Sequence, residues 1–272
     1  LFLQDEWRIR DRLTLTVDLR HDRHDHYHGQ TSPRAAVVLR PAEDWALKLL
    51  YGGAFRPPTV RELYVRELPA EDDGNPDLMP ERIHTAEALL THRPGPWEWR
   101  LALYHNEIHD FIAPDPVLLK YTNQGIRTIY GVEPELRVRP GRSWEAFFNY
   151  TLLSAQDSSG DDMAEVAKEL FNLGGTVRPG RWLTLHARLH HVGRRSRPAG
   201  YQSKVAAANR ADHLGAYDTV HMAVSTRGLP AEVSLGIHNL FDVQSFNPSF
   251  ARGDYDVEHP RRSVLVRVRY AF

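Results

Sequence analysis

A run of histidines and carboxylates between residues 21 and 28 carries the most evident chemistry in the sequence. It reads His-Asp-Arg-His-Asp-His-Tyr-His, and imidazoles and carboxylates at such short spacing suit Zn, Cu or Ni, or a metal chelate. A solvated loop is the simpler interpretation, because the chain carries 15 His in all. The candidate ligand-binding residues of this run are His24, His26, Tyr27 and His28.

The residue patterns of common enzymes do not occur in the sequence. There is no Cys, which excludes thiolate zinc sites and thiol nucleophiles. Neither a nucleotide-binding glycine loop nor a zinc-protease helix motif is present, and no spacing of Ser, His and Asp predicts a nucleophile elbow. These residue patterns therefore predict neither an enzyme nor a cofactor.

The last ten residues show the pattern that the structural elements follow. In an extended strand successive side chains point to opposite faces, so this segment has one apolar face and one largely charged face. The apolar face consists of Val264, Val266, Val268, Tyr270 and Phe272. The same alternation recurs along the chain and predicts an all-β fold of about thirteen antiparallel, up-and-down strands, joined alternately by tight turns and long polar loops.

Composition narrows the class of protein further. The chain has 272 residues and a formal net charge of -1, so it has no global field that would attract nucleic acid. Mean hydropathy is -0.49, and no apolar run approaches the roughly 18 residues that a membrane-spanning helix needs. A spanning β-barrel fits this composition, because half of its residues face water.

Four tight turns resemble one another and favour such a barrel. Each begins with Arg-Pro and is followed within a few residues by a tryptophan, namely Trp45, Trp97, Trp144 and Trp182. Proline supplies the turn geometry, whereas indole prefers the boundary between hydrocarbon and water. Tryptophans and tight turns at one end of the strands, with long loops at the other end, are typical of outer-membrane barrels. A soluble propeller or sandwich is the alternative.

Six short motifs in register resemble the TonB-dependent outer-membrane receptors. They lie at residues 3–7, 51–64, 74–81, 121–133, 239–242 and 270–272. The matching positions of the second and third motifs are Phe55, Arg56, Pro58, Asn75, Pro76, Leu78 and Glu81, and Tyr270 and Phe272 match the C-terminal assembly signal. The resemblance implies that residues 1–272 are the C-terminal portion of the receptor's transmembrane antiparallel β-barrel, a partial barrel from a receptor of about 22 strands. By this resemblance we expect no N-terminal plug domain within residues 1–272.

The same resemblance implies active uptake of a scarce solute across the outer membrane of a Gram-negative bacterium, energised through the TonB complex. A ferric siderophore is the default cargo, because it is the commonest in the family. Haem, cobalamin and a metal chelate are alternatives within the family, and haem is less favoured because no His lies between residues 57 and 74. An outer-membrane β-barrel hydrolase is a further alternative.

The resemblance also orients the chain in the membrane. It places the C-terminus on the periplasmic side, so that the proline turns are expected to be periplasmic and the long loops extracellular. Such loops display binding groups on a rigid scaffold and are expected to capture the ligand. One of them carries Arg194, Arg195 and Arg197, whose guanidinium groups suit lipopolysaccharide phosphates, with a solvated basic loop as the alternative.

Overall fold

Strands make up most of the chain in a computed structural model that describes residues 1–25, 27–66, 73–115, 117–197, 213–248 and 256–270. The elements are β1 (Phe2–Arg10), β2 (Leu13–His24), β3 (His28–Leu39), β4 (Trp45–Arg56), α1 (Val60–Tyr64), β5 (Glu81–His92), β6 (Trp97–Asp115), β7 (Lys120–Val138), β8 (Trp144–Gln156), β9 (Glu169–Val177), β10 (Leu183–Val192), β11 (Arg195–Ser196), β12 (His213–Leu214), β13 (Tyr217–Thr226), β14 (Ala231–His238), β15 (Phe246–Asn247), β16 (Val257–Glu258) and β17 (Ser263–Tyr270). Within the described ranges, no helix has the length and apolar character needed to cross a membrane.

Among the described residues, 13 strands form one sheet in the order β1-β2-β3-β4-β5-β6-β7-β8-β9-β10-β13-β14-β17. Strands that are neighbours in the sequence are neighbours in the sheet, apart from four short strands that form the separate pairs β11-β12 and β15-β16. The pairs along β1 to β4 and from β8 onward are antiparallel. The all-β, up-and-down antiparallel sheet of about thirteen strands is therefore confirmed. The four short strands and α1 were not predicted.

The first compact unit carries continuous apolar rows across its strands. It comprises Leu1–Leu90, Ala102–Gly131 and Ser154–Asp162. In one row Trp7, Leu15, Val37 and Leu49 are register partners across β1 to β4. Trp7 and Leu49 are each 46% exposed. Side chains of the opposite parity form the polar face, for example where Asp18 pairs with Arg34.

The second compact unit shows the same arrangement. It comprises Thr91–Leu101, Val132–Leu153 and Met163–Phe272. One row of register partners crosses six strands as Trp144, Val177, Leu185, Val224, Leu235 and Val266. All six side chains are exposed, from 37% for Leu185 to 62% for Val266. A soluble sandwich would bury such a face under a second layer, so the exposed row favours contact with lipid instead.

A small buried core lies beneath the loop between β4 and β5. Leu63 of α1 packs with Leu78 and Ile112, and Tyr121 covers them. Leu78 is only 2% exposed, and Pro80 is also fully buried. This core holds the loop on the ends of the strands, while most of the apolar surface of the sheet stays outside it.

The histidine run at residues 21–28, for which a solvated loop is the simpler interpretation, is mostly strand. The ladder between β2 and β3 continues through His21 with Thr31 and Asp22 with Gln30, and it ends where His24 pairs with His28. The loop prediction is wrong there because a polar sequence removes the apolar alternation but not the backbone hydrogen bonds that extend a hairpin. His26 lies outside the described residues.

Candidate functional site

Arg56, the last residue of β4, joins the start and the end of the following loop through two carboxylates. Its Nε and Nη2 donate to the two carboxylate oxygens of Glu81 at 2.7 and 2.8 Å. Its Nη1 donates to Glu62 Oε2 at 3.0 Å. The planar guanidinium suits this bidentate geometry. Glu81 Oε1 also accepts a hydrogen bond from the backbone N–H of Ile112 at 2.7 Å, which fixes the carboxylate against β6.

The helix α1 begins with a capping box that shares Glu62 with this ion-pair cluster. Thr59 is the N-cap: its backbone N–H donates to Glu62 Oε2 at 2.7 Å, and its Oγ1 accepts from the Glu62 N–H at 3.3 Å. Burial raises the pKa of Glu62, but the hydrogen bonds from Arg56 and Thr59 outweigh burial and hold that pKa below its ordinary value. Glu62 therefore stays ionised beside Arg56.

The third sequence motif returns the chain to β5 over the same helix. The Asn75 backbone N–H donates to Glu62 O at 2.8 Å, and its Nδ2 donates to Tyr121 O at 3.0 Å. A Cβ atom on Gly74 would lie 2.6 Å from the backbone N of Tyr64, so only glycine allows this approach. Pro76 occupies the turn after Asn75.

Asn123 ties this return segment to β6 and β7. Its Oδ1 accepts from the Met79 N–H at 2.9 Å, and its Nδ2 donates to Met79 O at 2.9 Å and to Asp110 O at 2.8 Å. Asn123 belongs to the fourth motif, so three motifs that are distant in the sequence meet at one place. Because their polar groups bind one another, we interpret the motif positions as a framework that holds the loop.

A cavity of about 640 Å³ lies next to this framework, on the polar face of β1 to β4. It is lined by Phe2, Asp18, Arg20, Asp22, Arg23, Tyr27, Ser32, Arg34, Ala54, Phe55 and Pro57. Arg20 donates to both carboxylate oxygens of Asp22 at 2.7 and 2.9 Å. The lining thus contains three guanidinium groups, two carboxylates and three aromatic rings, a set that suits an anionic ligand with flat apolar parts. In the sequence, Pro58 follows the lining residue Pro57 and precedes Thr59, the N-cap of α1.

The histidine run contributes aromatic surface to this cavity. The rings of His24 and Tyr27 stack at 4.4 Å with 2° between their planes, and Tyr27 lies 5.9 Å from the ring of Phe55. His28 has a positive φ of 59°, which turns the chain into β3. In the described ranges, which exclude His26, no three His, Asp or Glu side chains gather in a way that would hold a metal ion. Metal binding by this run stays a prediction.

The arginines expected to contact lipopolysaccharide have different surroundings in the second unit. Arg194 is exposed. Arg195 is only 6% exposed, and it donates to Asn247 Oδ1 and Phe246 O at 2.6 Å each. Arg197 pairs with Asp256 at 2.6 Å. Two of the three guanidinium groups therefore bind the chain itself, and lipopolysaccharide contact stays a prediction that Arg194 best fits.

The motif at residues 239–242 forms a tight turn after β14. The side chain of Asn239 donates to Val243 O and accepts from the Val243 N–H, both at 2.8 Å. Arg261 donates to both oxygens of Asp242, at 3.1 and 2.9 Å. Tyr270 ends β17, where it pairs with Ala231, and Phe272 lies outside the described residues. The role of these two aromatic residues in assembly stays a prediction.

The charged residues that line the cavity were not among the sequence-predicted site residues. Asp18, Arg20 and Asp22 alternate with apolar residues along β2, and Arg34 continues their face on β3. The signal in the sequence is that Asp18, Arg20 and Asp22 occupy alternate positions, which places their side chains on one face of β2.

Comparison with known proteins agrees with this architecture. Residues 1–240 match the family model described as TonB dependent receptor-like, beta-barrel. The chain is 26% identical over 267 residues to the iron-regulated outer membrane virulence protein of Vibrio cholerae serotype O1, a match that covers 89% of this chain and 40% of that protein. The chain thus spans about two fifths of the length of the curated relatives it matches.

Solved structures share the fold. The ferric enterobactin receptor PfeA of Pseudomonas aeruginosa, as the mutant G324V, superposes with a TM-score of 0.82 at 18% identity, covering 100% of this chain and 44% of that one. The siderophore receptor PirA of Acinetobacter baumannii gives a TM-score of 0.81 at 17% identity, covering 100% and 45%. The expected partial transmembrane barrel and its place in the outer membrane of a Gram-negative bacterium are thereby confirmed. Exposed apolar rows, proline turns and the family match together establish that the chain belongs to the TonB-dependent receptor β-barrel family.

Proposed function

We propose that the chain forms the C-terminal portion of the barrel, residues 1–272, of an outer-membrane receptor that takes up a ferric siderophore and is energised through the TonB complex. The observation that carries this proposal is the cavity of about 640 Å³ beside Phe55. Ferric siderophores that bind iron through catecholates are anionic and carry flat aromatic rings. Guanidinium groups and aromatic side chains provide charge-assisted hydrogen bonds and stacking for such a ligand.

Two arginines make the sharpest test of ligand binding. Arg23 and Arg34 line the cavity. In the intact receptor, the double variant Arg23→Gln/Arg34→Gln should bind a ferric tris-catecholate about 10-fold more weakly or worse, the effect of one lost charge-assisted hydrogen bond. Arg40→Gln is the matched control, because Arg40 lies at the tight turn before β4 and does not line the cavity.

Spectral titration with a ferric tris-catecholate, a ferric hydroxamate, haem and cobalamin distinguishes the cargoes. The proposal is supported if a ferric siderophore binds saturably and if Arg23→Gln/Arg34→Gln weakens this binding while Arg40→Gln does not. Binding of haem or cobalamin with no response to either ferric complex contradicts it. The family match supports a transport receptor over a β-barrel hydrolase.

Energisation is tested separately by uptake of radiolabelled iron. Cells that express the receptor should accumulate the ferric complex only when TonB is present, while binding to the cell surface should not change. Equal uptake in cells that lack TonB would contradict the proposed coupling.

A further inference from the structure

A row of side chains crosses the polar face of the second unit. Phe147, Gly174, Arg188 and His221 are register partners across β8, β9, β10 and β13. On β10, Arg188 has the opposite parity to Leu185, which belongs to the exposed apolar row. Because the apolar face of such a barrel contacts lipid, these four residues face its interior, and we call them the inner row.

Arg188 is the cation of the inner row, and imidazoles lie on both sides of it along β10. His186 and His190, two residues before and after Arg188, share its face of the strand. His190 Nδ1 lies 2.9 Å from Asn172 Oδ1. His186 Nδ1 lies 3.1 Å from Thr176 Oγ1. Side chains of β9 thus fix the orientation of both imidazoles.

The imidazole of His221, across the strand pair from Arg188, is also held in place. Its Nε2 lies 3.1 Å from Thr219 Oγ1. Its Nδ1 lies 3.3 Å from His238 Nδ1. Imidazole groups donate and accept hydrogen bonds. The guanidinium of Arg188 is therefore bordered by groups that can bind a ligand but carry no negative charge.

Two other arginines of the second unit bind a carboxylate of the chain itself. Arg139 and Arg178 lie 2.8 and 3.3 Å from Glu145. Arg188 differs from them, because no residue in the described ranges forms an ion pair or a hydrogen bond with it. The N–H donors of its guanidinium group are thus available to a ligand.

A flat apolar surface lies beside Arg188. Gly174 separates Phe147 from Arg188 in the inner row, and a Cβ atom on Gly174 would lie 2.9 Å from Phe147 Cε1. The ring of Phe147 therefore covers the place that a side chain on β9 would take and extends toward β10. A guanidinium group next to an aromatic ring suits a ligand that has both negative charge and flat rings.

The inner row lies within the depth of the apolar band. Arg188 is six residues after Trp182, which follows a proline turn. Six residues span about 20 Å along a strand that rises about 3.3 Å per residue, and the apolar band of such barrels is about 25 Å tall. The inner row is therefore part of the barrel wall, where cationic side chains favour the passage of anions.

The chemistry of the inner row favours one class of ligand. In the part of the chain that the structure describes, its histidines do not gather into a metal-binding set. A guanidinium group binds two neighbouring oxygen atoms through parallel hydrogen bonds. A catecholate presents two such oxygens on an aromatic ring. Inorganic phosphate presents the oxygens but no ring that Phe147 could contact.

We propose that the inner row is a second binding site for the anionic catecholate complex of iron, which occupies it while crossing the barrel. The inference rests on the proposed function, which supplies the ligand. It adds a site in the second unit to the cavity on β1 to β4 in the first unit. Binding at the wall lowers the free energy of the charged complex inside the barrel, which speeds its passage as long as it can leave again.

Uptake of a ferric tris-catecholate labelled with radioactive iron separates capture from passage. The cells carry the intact receptor; surface binding is measured in cells that lack TonB, and the rate of uptake in cells that have it. Arg188→Gln should lower the maximal rate of uptake about 10-fold, the effect of one lost charge-assisted hydrogen bond. The affinity of surface binding should not change.

Two further variants test the charge and its place. Arg188→Lys keeps a positive charge and should recover part of the uptake rate. Arg269→Gln is the matched control, because Arg269 lies on the polar face of β17, opposite Glu232 and outside the inner row. This control should take up iron at the wild-type rate. Migration in unheated gels checks that each variant is folded and present in equal amount.

Selective loss of uptake in Arg188→Gln, with normal surface binding, supports the inner site. Unchanged uptake in Arg188→Gln, equal loss in Arg269→Gln, or weaker surface binding in Arg188→Gln overturns it. Entry of a large antibiotic into Arg188→Gln cells, which the outer membrane normally excludes, would mean that Arg188 keeps the barrel closed, and this also overturns it. If the wild-type receptor does not bind the ferric tris-catecholate at all, the proposed function fails together with this inference.

Discussion

The ring of Phe147 on β8 lies over Gly174 on β9, so that a Cβ atom on Gly174 would come within 2.7 Å of Phe147 Cζ and 2.8 Å of Ala187 O. The two residues are register partners on the polar face of the second unit. Tyr104 covers Gly131 in the same way in the first unit. In both places an aromatic ring fills the space that a neighbouring glycine leaves open, an arrangement that stabilises strand pairs.

Replacing Gly174 with alanine should therefore destabilise the barrel. The methyl group forces the Phe147 ring and the backbone of β10 apart, and we expect the free energy of unfolding to fall by about 1–3 kcal/mol. Denaturant unfolding of the receptor in micelles measures this change. Gly236→Ala is the control, because the nearest atom to its Cβ, Leu265 O, is 4.0 Å away. Equal effects of the two substitutions would contradict the role of the ring.

Arg56→Lys should loosen the loop between β4 and β5. Lysine keeps one positive charge but not the fork that binds Glu81 through two nitrogens. Because the Arg56 side chain is 42% exposed, we expect a loss of only about 1 kcal/mol. Thermolysin should cleave the loop several-fold faster. Arg82→Lys is the control, because Arg82 forms an exposed ion pair with Asp110, and it should leave cleavage unchanged. Similar acceleration in this control would contradict a specific role of the Arg56–Glu81 pair.

The turn at residues 239–242 should make a contribution to stability that depends on pH. Hydrogen bonds from Arg261 and from the Arg262 N–H lower the pKa of Asp242 to about 2, from an ordinary value of 3.8. A carboxylate with a lowered folded pKa stabilises the fold fully above its unfolded pKa, and that contribution is lost as pH falls through the folded value. The melting temperature of the wild type should exceed that of Asp242→Asn above about pH 4, and the difference should vanish near pH 2.

Arg261→Gln provides the complementary measurement. It removes the largest cause of the lowered pKa of Asp242, so that pKa should lie nearer its ordinary value. In the Arg261→Gln background, the stabilisation by Asp242 should therefore be smaller and should be lost at a higher pH than in the wild type. A difference between wild type and Asp242→Asn that stays constant down to pH 2 would mean that the pair with Arg261 does not stabilise the fold.

Arg195→Met should release the segment around β15 from the short strand β11. The substitution removes the guanidinium that donates to Asn247 Oδ1 and Phe246 O, while His259 Nε2 still lies 3.0 Å from Asn247 Oδ1. Because a hydrogen bond from a charged group contributes about 1.5–3 kcal/mol, amide hydrogen exchange in residues 243–248 should accelerate roughly 10-fold or more. Arg194→Met is the matched control, since Arg194 is the exposed neighbour. Unchanged exchange in Arg195→Met, or equal acceleration in both variants, would contradict this role.

The sequence by itself determined the class of fold and most of the strands. Alternation of side chains is a local property, so the residues of one strand suffice to reveal its apolar face, as in the segment from Val264 to Tyr270. Proline turns are equally local, and Trp45, Trp97 and Trp144 each begin a strand as those turns predict. The short motifs of the family then identified the kind of barrel.

Only the tertiary structure decided which residues meet. Arg56 and Glu81 are 25 residues apart, and Arg195 and Asn247 are 52 residues apart. Tyr51, His84 and His105, which line one small cavity, lie on three different strands, β4, β5 and β6. Such contacts depend on the register summed over several strands and on the path of each loop, and neither is encoded in the periodicity of one segment. For the same reason the loop interpretation of the histidine run at residues 21–28 is wrong, because pairing between β2 and β3 extends most of that run as strand.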